Sequence, residues 1–113
     1  MENYQEQFLD ACCTRSRRSQ LCKHTGISPK LILKWTNHAD LARIHGIGEE
    51  FAELLEKCGV DSVPELAHRR HDNLYQALCT TNEKYHLCRR TPSASVVKSW
   101  IDEAKRLPKV VHH

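Results

Sequence analysis

Leu41-Ala42-Arg43-Ile44-His45-Gly46-Ile47-Gly48-Glu49-Glu50-Phe51-Ala52-Glu53-Leu54-Leu55 is the stretch that decides the fold. Leu41 and Ile44 lie one helical turn apart and can share a buried face. His45-Gly46-Ile47-Gly48 then interrupts, and Phe51, Ala52, Leu54 and Leu55 resume apolar positions at helical spacing. The two glycines offer backbone conformations that a Cβ forbids. The expectation is therefore a tight reversal in which both are required and Ile47 points inward to pin two helices together.

This pattern of a hydrophobic residue, Gly, a hydrophobic residue, Gly, then Ala and two hydrophobics resembles the helix-hairpin-helix motif, with Gly46, Ile47, Gly48, Ala52, Leu54 and Leu55 in its positions. Such a hairpin can hold a nucleic-acid phosphate on turn amides at the start of its second helix. Here Glu49 and Glu50 follow Gly48 directly, with Glu53 and Glu56 on the same helix. Carboxylates suit the positive end of the helix dipole and repel phosphate. A structural role for Gly46, Ile47 and Gly48 is accordingly the first reading, and nucleic-acid contact the second.

Outward from the hairpin, helix signals recur. Phe8, Leu9 and Cys12 fit an opening helix within residues 4–13, and Thr14-Arg15-Ser16-Arg17-Arg18-Ser19 is a polar break or helix start. Gly26 suits a left-handed helix end. Ser28-Pro29 is a cap followed by proline at the first helical position, after which Leu31, Ile32 and Trp35 form the expected buried stripe. Asn37 and Asp40 read as polar punctuation. Ser62 with Glu65 makes a capping box, Asp72 can cap the next helix, and Thr91-Pro92 opens the last one. That helix carries Val96, Val97, Trp100, Ile101, Ala104 and Leu107 on one stripe and ends at Pro108. Trp35 and Trp100, each on an apolar stripe, read as core residues.

Leu21 to Leu31 aligns with Leu41 to Phe51 at an offset of twenty residues, placing Lys23 on Arg43, Gly26 on Gly46 and Ile27 on Ile47, while Gly59-Val60 repeats the turn a third time. Successive turns of this kind between short helices are what tandem units produce when each buries its face against its neighbour. The expected fold is all-α: tandem helix-hairpin-helix units of short helices closed by a longer C-terminal amphipathic helix. Residues 1–13 form an N-terminal helix or arm, and residues 14–111 a single domain.

The residues Thr25 to Ser28, Leu31 to Trp35, Asn37 to Leu41, Gly46 to Glu50, Leu54 to Glu56, Gly59 to Ala67, Arg89-Arg90, Pro92, and Trp100 through Pro108 resemble the bacterial domain-of-unknown-function family numbered 4332. The resemblance implies an all-helical fold with helix-hairpin-helix elements, a Gly-Ile-Gly turn followed by Glu, and a role in binding nucleic acid or protein, without any assigned chemistry. Cysteines and histidines are denser here than that family leads one to expect.

The chain's 113 residues suffice for one domain with its own core. The overall net charge of +3 says little, but its distribution is uneven. Residues 11–45 are strongly basic, and residues 46–66 are acidic through Glu49, Glu50, Glu53, Glu56, Asp61 and Glu65. No apolar run approaches the length of a membrane span and the start Met1-Glu2-Asn3 is unlike a secretory leader, so the sequence reading is a cytoplasmic protein without a membrane partner. Six cysteines, Cys12, Cys13, Cys22, Cys58, Cys79 and Cys88, read as free thiols. The close ligand pair that usually opens a zinc site is missing, as are phosphate loops and nucleophile elbows, so no metal, cofactor or catalytic residue is expected. His112-His113 read as native residues or a tag remnant and carry no weight.

The strongest nucleic-acid feature is the basic run Arg15, Arg17, Arg18, Lys23, Lys30 and Lys34 around the turn Thr25-Gly26-Ile27-Ser28, where Thr25, Gly26 and Ser28 offer hydroxyls and amides with no adjacent carboxylate. The expected activity is weak, sequence-independent binding of DNA or RNA. The alternative is a protein-interaction adaptor that uses the acidic face around residues 49–65.

Overall fold

Capping chemistry sets the helix boundaries. In the computed structural model, which describes residues 4–113, Thr14, Ser28, Ser62 and Ser93 each accept a hydrogen bond from the backbone N–H three residues on, opening four of the helices. The elements are α1 (Tyr4–Cys12), α2 (Arg15–Thr25), α3 (Pro29–Leu41), α4 (Glu49–Lys57), α5 (Val63–Ala67), α6 (His71–Tyr85) and α7 (Ala94–Arg106). The fold is all-α, with no strand among the described residues. Glu2 lies outside them.

Two expected starts shift. Asp72 lies inside the first turn of α6, where its carboxylate accepts from Asn73 N, and Arg70 is the cap residue. The last helix begins at Ala94 behind Ser93, two residues after Pro92, which is buried. Ser62 caps α5 as expected, but Glu65 turns its carboxylate to Arg69 at 3.0 Å, forming a pair four residues apart on the chain.

The main core is built by the end of α3, the turn after it and the segment from α4 to α7: Leu41, Ile44, Ile47, Leu54, Leu55, Val60, Val63, Leu66, Leu74, Leu78, Val97, Trp100 and Ile101 are buried together. Trp100 is its largest member and meets Phe51 ring to ring at 5.3 Å. α5 and α6 both pack on α7, and α4 packs on α6. At the other end α1, α2 and α3 pack on one another, with Leu9, Cys12 and Ile32 buried, so α1 is a packed helix.

α3 belongs to both ends. Ile32 is buried as expected, but Leu31 is 38% and Trp35 41% exposed, so Trp35 is a surface residue and Trp100 alone is a core tryptophan. The inward face of α3 is Ile32, Thr36, Asn37, Asp40 and Leu41. Its polar members are satisfied. Thr36 donates to Ile32 O at 2.7 Å, while Asp40 accepts from Arg43 Nη1 and from Val63 N, each at 2.9 Å, which ties α3 to the start of α5. Asp40 is therefore a buried cross-link where the sequence suggests punctuation.

The turn between α3 and α4 also departs from expectation. Leu41 is the last residue of α3, and Ile44 reaches the core through short-range turn bonds, Ile44 N to Leu41 O and Ile47 N to Ile44 O. Gly46 has φ +91, whereas Gly48 sits at φ −94 and ψ −170, an extended conformation open to any residue. Only Gly46 is required by the backbone. Positive φ recurs at Gly26 and Gly59, which gives the three aligned turns a shared backbone feature.

The tail after α7 folds back onto the first helices. Val111 is buried, His112 N donates to Cys13 O at 2.7 Å, and His113 Nε2 lies 2.8 Å from Asn37 Oδ1. No helix among the described residues is long and apolar enough to cross a membrane.

Candidate nucleic-acid interface

α2 has almost no apolar stripe of its own: Arg15, Arg17, Ser19, Gln20, Lys23 and His24 are exposed and Leu21 and Cys22 only half-buried. It stays helical through its Thr14 cap, the Gly26 end, and its packing on α1 and α3. Such a helix presents charge to solvent along most of its length. With the first turn of α3 and the folded-back tail it encloses a groove of about 620 Å³ lined by Arg15, Arg18, Ser19, Cys22, Lys23, Pro29, Leu33 and His113. No Asp or Glu side chain belongs to that lining.

The expected site residues divide into three groups. Arg15, Lys23 and Lys30 are exposed; the first two line the groove, and the third follows the lining residue Pro29 in the chain without lining the groove itself. Arg17 and Lys34 are engaged elsewhere. Arg17 donates to the Asp10 backbone oxygen and carboxylate at the end of α1, and Lys34 Nζ lies 3.3 Å from Glu53 on α4. Arg18 is buried. Its guanidinium donates to Cys12 O at 2.9 Å and His112 O at 3.0 Å, so it joins α1, α2 and the tail and supports the groove from beneath.

At the turn itself, Thr25 spends its hydroxyl proton on Leu21 O at 2.7 Å and accepts from Ile27 N at 3.2 Å. Ser28 accepts from Leu31 N, a bond that uses its oxygen lone pair and not its proton. Gly26 closes α2 with its N–H on Cys22 O. The turn is thus held by its own hydroxyls, and the open cationic groups lie to its sides. Beneath the groove, burial pushes the Cys12 thiol above its ordinary titration range, opposed by a hydrogen bond with Thr36 and by the nearby Arg18 charge.

Gly46, Ile47 and Gly48 do not join this site. Ile47 is buried, and Glu49 and Glu50 stand exposed at the start of α4. On the remaining acidic face, Glu53 faces Lys34 and His38, Glu56 faces His38, and Glu65 faces Arg69, so the exposed carboxylates of the segment are Glu49, Glu50 and Asp61. Beside Glu49 a shallow cleft of about 450 Å³ is lined by Phe8, Trp35, His38, Ala39, Ala42, Gly48 and Glu49.

Sequence reasoning passed over His113, Leu33 and the exposure of Trp35. Nothing in the residue pattern marks the tail's return. For Trp35 a signal exists: Ile32, Thr36 and Asp40 recur every fourth residue and compete with the apolar stripe for the inward face. No solved structure matches the chain. Residues 3–107, which take in α1 and extend through α7, match the family described as Domain of unknown function (DUF4332), and the chain belongs to that family.

Proposed function

We propose that this domain is a non-catalytic binding module that holds the backbone of DNA or RNA without sequence preference, in the groove between α2, the first turn of α3 and the C-terminal tail. The observation that carries the reading is the groove's charge: Arg15 and Lys23 on its wall and exposed Lys30 next in the chain to the lining residue Pro29, with no Asp or Glu side chain in its lining. Phosphate contacts need only such cations within reach, and their salt dependence counts them. In this reading α2–α3 and α3–α4 are tandem helix-hairpin-helix units of which the first meets the ligand and the second, bearing Glu49 and Glu50, is structural. The setting is cytoplasmic.

A labelled duplex titrated with the protein at about 50 mM salt is expected to bind, with log affinity falling against log salt at a slope of about −3 for three engaged cations. Lys23→Glu with Lys30→Glu abolishes the binding, while Glu49→Gln with Glu50→Gln strengthens it by removing repulsion. Absence of a shift by the unaltered protein on both duplex and single strands at that salt ends the nucleic-acid reading.

One observation favours the adaptor alternative, in which the domain docks a basic protein partner. Trp35, 41% exposed, lines the apolar cleft beside Glu49, and buried aromatic anchors next to charge are what protein interfaces use. Under that reading the pattern inverts: the two Glu→Gln changes and Trp35→Ala weaken partner capture, and the two Lys→Glu changes leave it intact.

A further inference from the structure

Between α3 and α4, away from the basic groove, His38, Glu53 and Glu56 converge so that His38 Nε2 and one oxygen from each carboxylate lie within 4.8 Å of one another. Glu53 and Glu56 are three residues apart on α4, which places both carboxylates on one helix face, and His38 reaches them from α3. His38 Nε2 is 2.5 Å from Glu56 Oε2 and 3.4 Å from Glu53 Oε2, so the imidazole stands between two carboxylates. All three side chains are partly sheltered, with 15%, 34% and 27% of their surface exposed for His38, Glu56 and Glu53.

We propose that these three residues form a binding site for a divalent transition-metal ion of the zinc, cobalt or nickel class, one that clamps α3 to α4. The donor set selects the class. An imidazole nitrogen suits those ions, whereas magnesium and calcium take oxygen donors. One nitrogen and two carboxylate oxygens satisfy three positions of a tetrahedral ion and leave the fourth to water or an incoming ligand. Lys34, 3.3 Å from Glu53 Oε2, is the outer partner that holds this carboxylate in place and offsets part of its charge. With the neutral imidazole, the two carboxylates and Lys34 leave one uncompensated negative charge, which a dication outweighs. The ion would join the last turns of α3 to the middle and last turn of α4, so its binding energy adds to the stability of the folded chain.

The test titrates chelator-treated protein with Co²⁺ followed by its visible absorption and with Zn²⁺ followed by calorimetry and thermal melting. The expected result is one ion per chain, a melting temperature that climbs with metal concentration, and no response to Mg²⁺ at the same concentration. His38→Gln and Glu53→Gln, each checked for folding by circular dichroism, are expected to weaken binding roughly tenfold or more. His112→Ala with His113→Ala is expected to leave it unchanged. The proposal is overturned by the absence of saturable binding, by binding that survives both ligand substitutions, or by an intense cobalt-thiolate band showing that the cysteines hold the ion. Should His38→Gln not fold, Glu53→Gln carries the same decision alone.

Discussion

Gly46 and Gly48 look equivalent on the chain, yet their surroundings give them opposite tolerances. At Gly46 the backbone has φ +91, and an added Cβ would come within 3.4 Å of Trp100 Nε1. Gly46→Ala is expected to cost about 1–2 kcal/mol, the strain of placing an L-residue in the left-handed region, and Gly46→Val more. At Gly48 a Cβ would meet nothing within 4 Å, and α4 lacks a side-chain cap there. Gly48→Ser is expected to hold or raise stability by a few tenths of a kcal/mol. Paired urea melts of the two variants check the contrast, and equal losses would refute it. The thiols divide in a similar way. Cys12 and Cys88 are buried, and that burial raises both titrations above the ordinary value of 9.0, assisted at Cys88 by the Glu50 charge. Because the folded state resists losing these protons, their influence on stability is constant below 9.0 and turns unfavourable as pH climbs past it. The expected outcome is falling stability above that value, less steep in Cys12→Ala with Cys88→Ala. In native protein at neutral pH, those two thiols should be the last to react with iodoacetamide.

Among the elements, α3 shows why a stripe of apolar residues can be correctly helical and yet misplaced. Leu31, Ile32 and Trp35 predict the helix, but the face that packs is rotated by about one residue, on the order of 100° for a helical repeat of 3.6. It carries Thr36, Asn37 and Asp40 inward because each finds a partner there, at Ile32 O, His113, and Arg43 with Val63 N respectively. Of those partners Ile32 and Arg43 are local, but Val63 and His113 lie 23 and 76 residues away, beyond any local window. Where the signals are local, as at Ser28, Ser62 and Gly26, sequence and structure agree. Asp40 should then be the most sensitive polar position of α3. Asp40→Ala strands Arg43 and the Val63 amide, and the expected cost is about 3 kcal/mol, near the lower end for breaking a buried pair because Arg43 also donates to Pro108 O. Asp40→Asn, which keeps an acceptor for Val63, should lose less, and denaturant titration separates the two. α6 offers the converse case. It ends on His86 at φ 52, a non-glycine residue in the left-handed region, while Asn82 holds the following loop by bonding both Cys88 N and Cys88 O. His86→Gly is expected to raise stability by roughly 0.5 kcal/mol, since glycine relieves the strain but loses more entropy on folding.

Across the whole molecule, the tail that follows α7 returns to the first group of helices and forms a wall of the groove beside α2 and α3. Arg18 and His112 meet 94 residues apart, so the floor of the basic groove depends on both ends of the chain being folded together. Its charge pattern was legible as a basic run beside a glycine turn, but the groove was not, because a pattern of side chains says which residues are cationic and not what stands opposite them. Val111, 2% exposed, anchors the returning segment. Val111→Asp buries a charge with no partner, and the expected response is release of the tail instead of global unfolding, since Leu107 and the α7 stripe remain packed on the main core. Freed from His112 O, the Arg18 guanidinium keeps Cys12 O and gains access to solvent. Two measurements follow the consequence. Amide exchange should quicken at His112 and in α1 near Cys13, while the amides of α4 and α7 keep their protection. If the groove holds nucleic acid as proposed, duplex affinity should fall with the loss of the His113 wall, yet the salt slope should stay the same or steepen, because Arg18 becomes a further cation within reach of phosphate. A uniform loss of protection from α1 to α7 would show instead that the tail holds the entire described fold, and a slope reduced by one or more would assign the contact to the tail and not to α2.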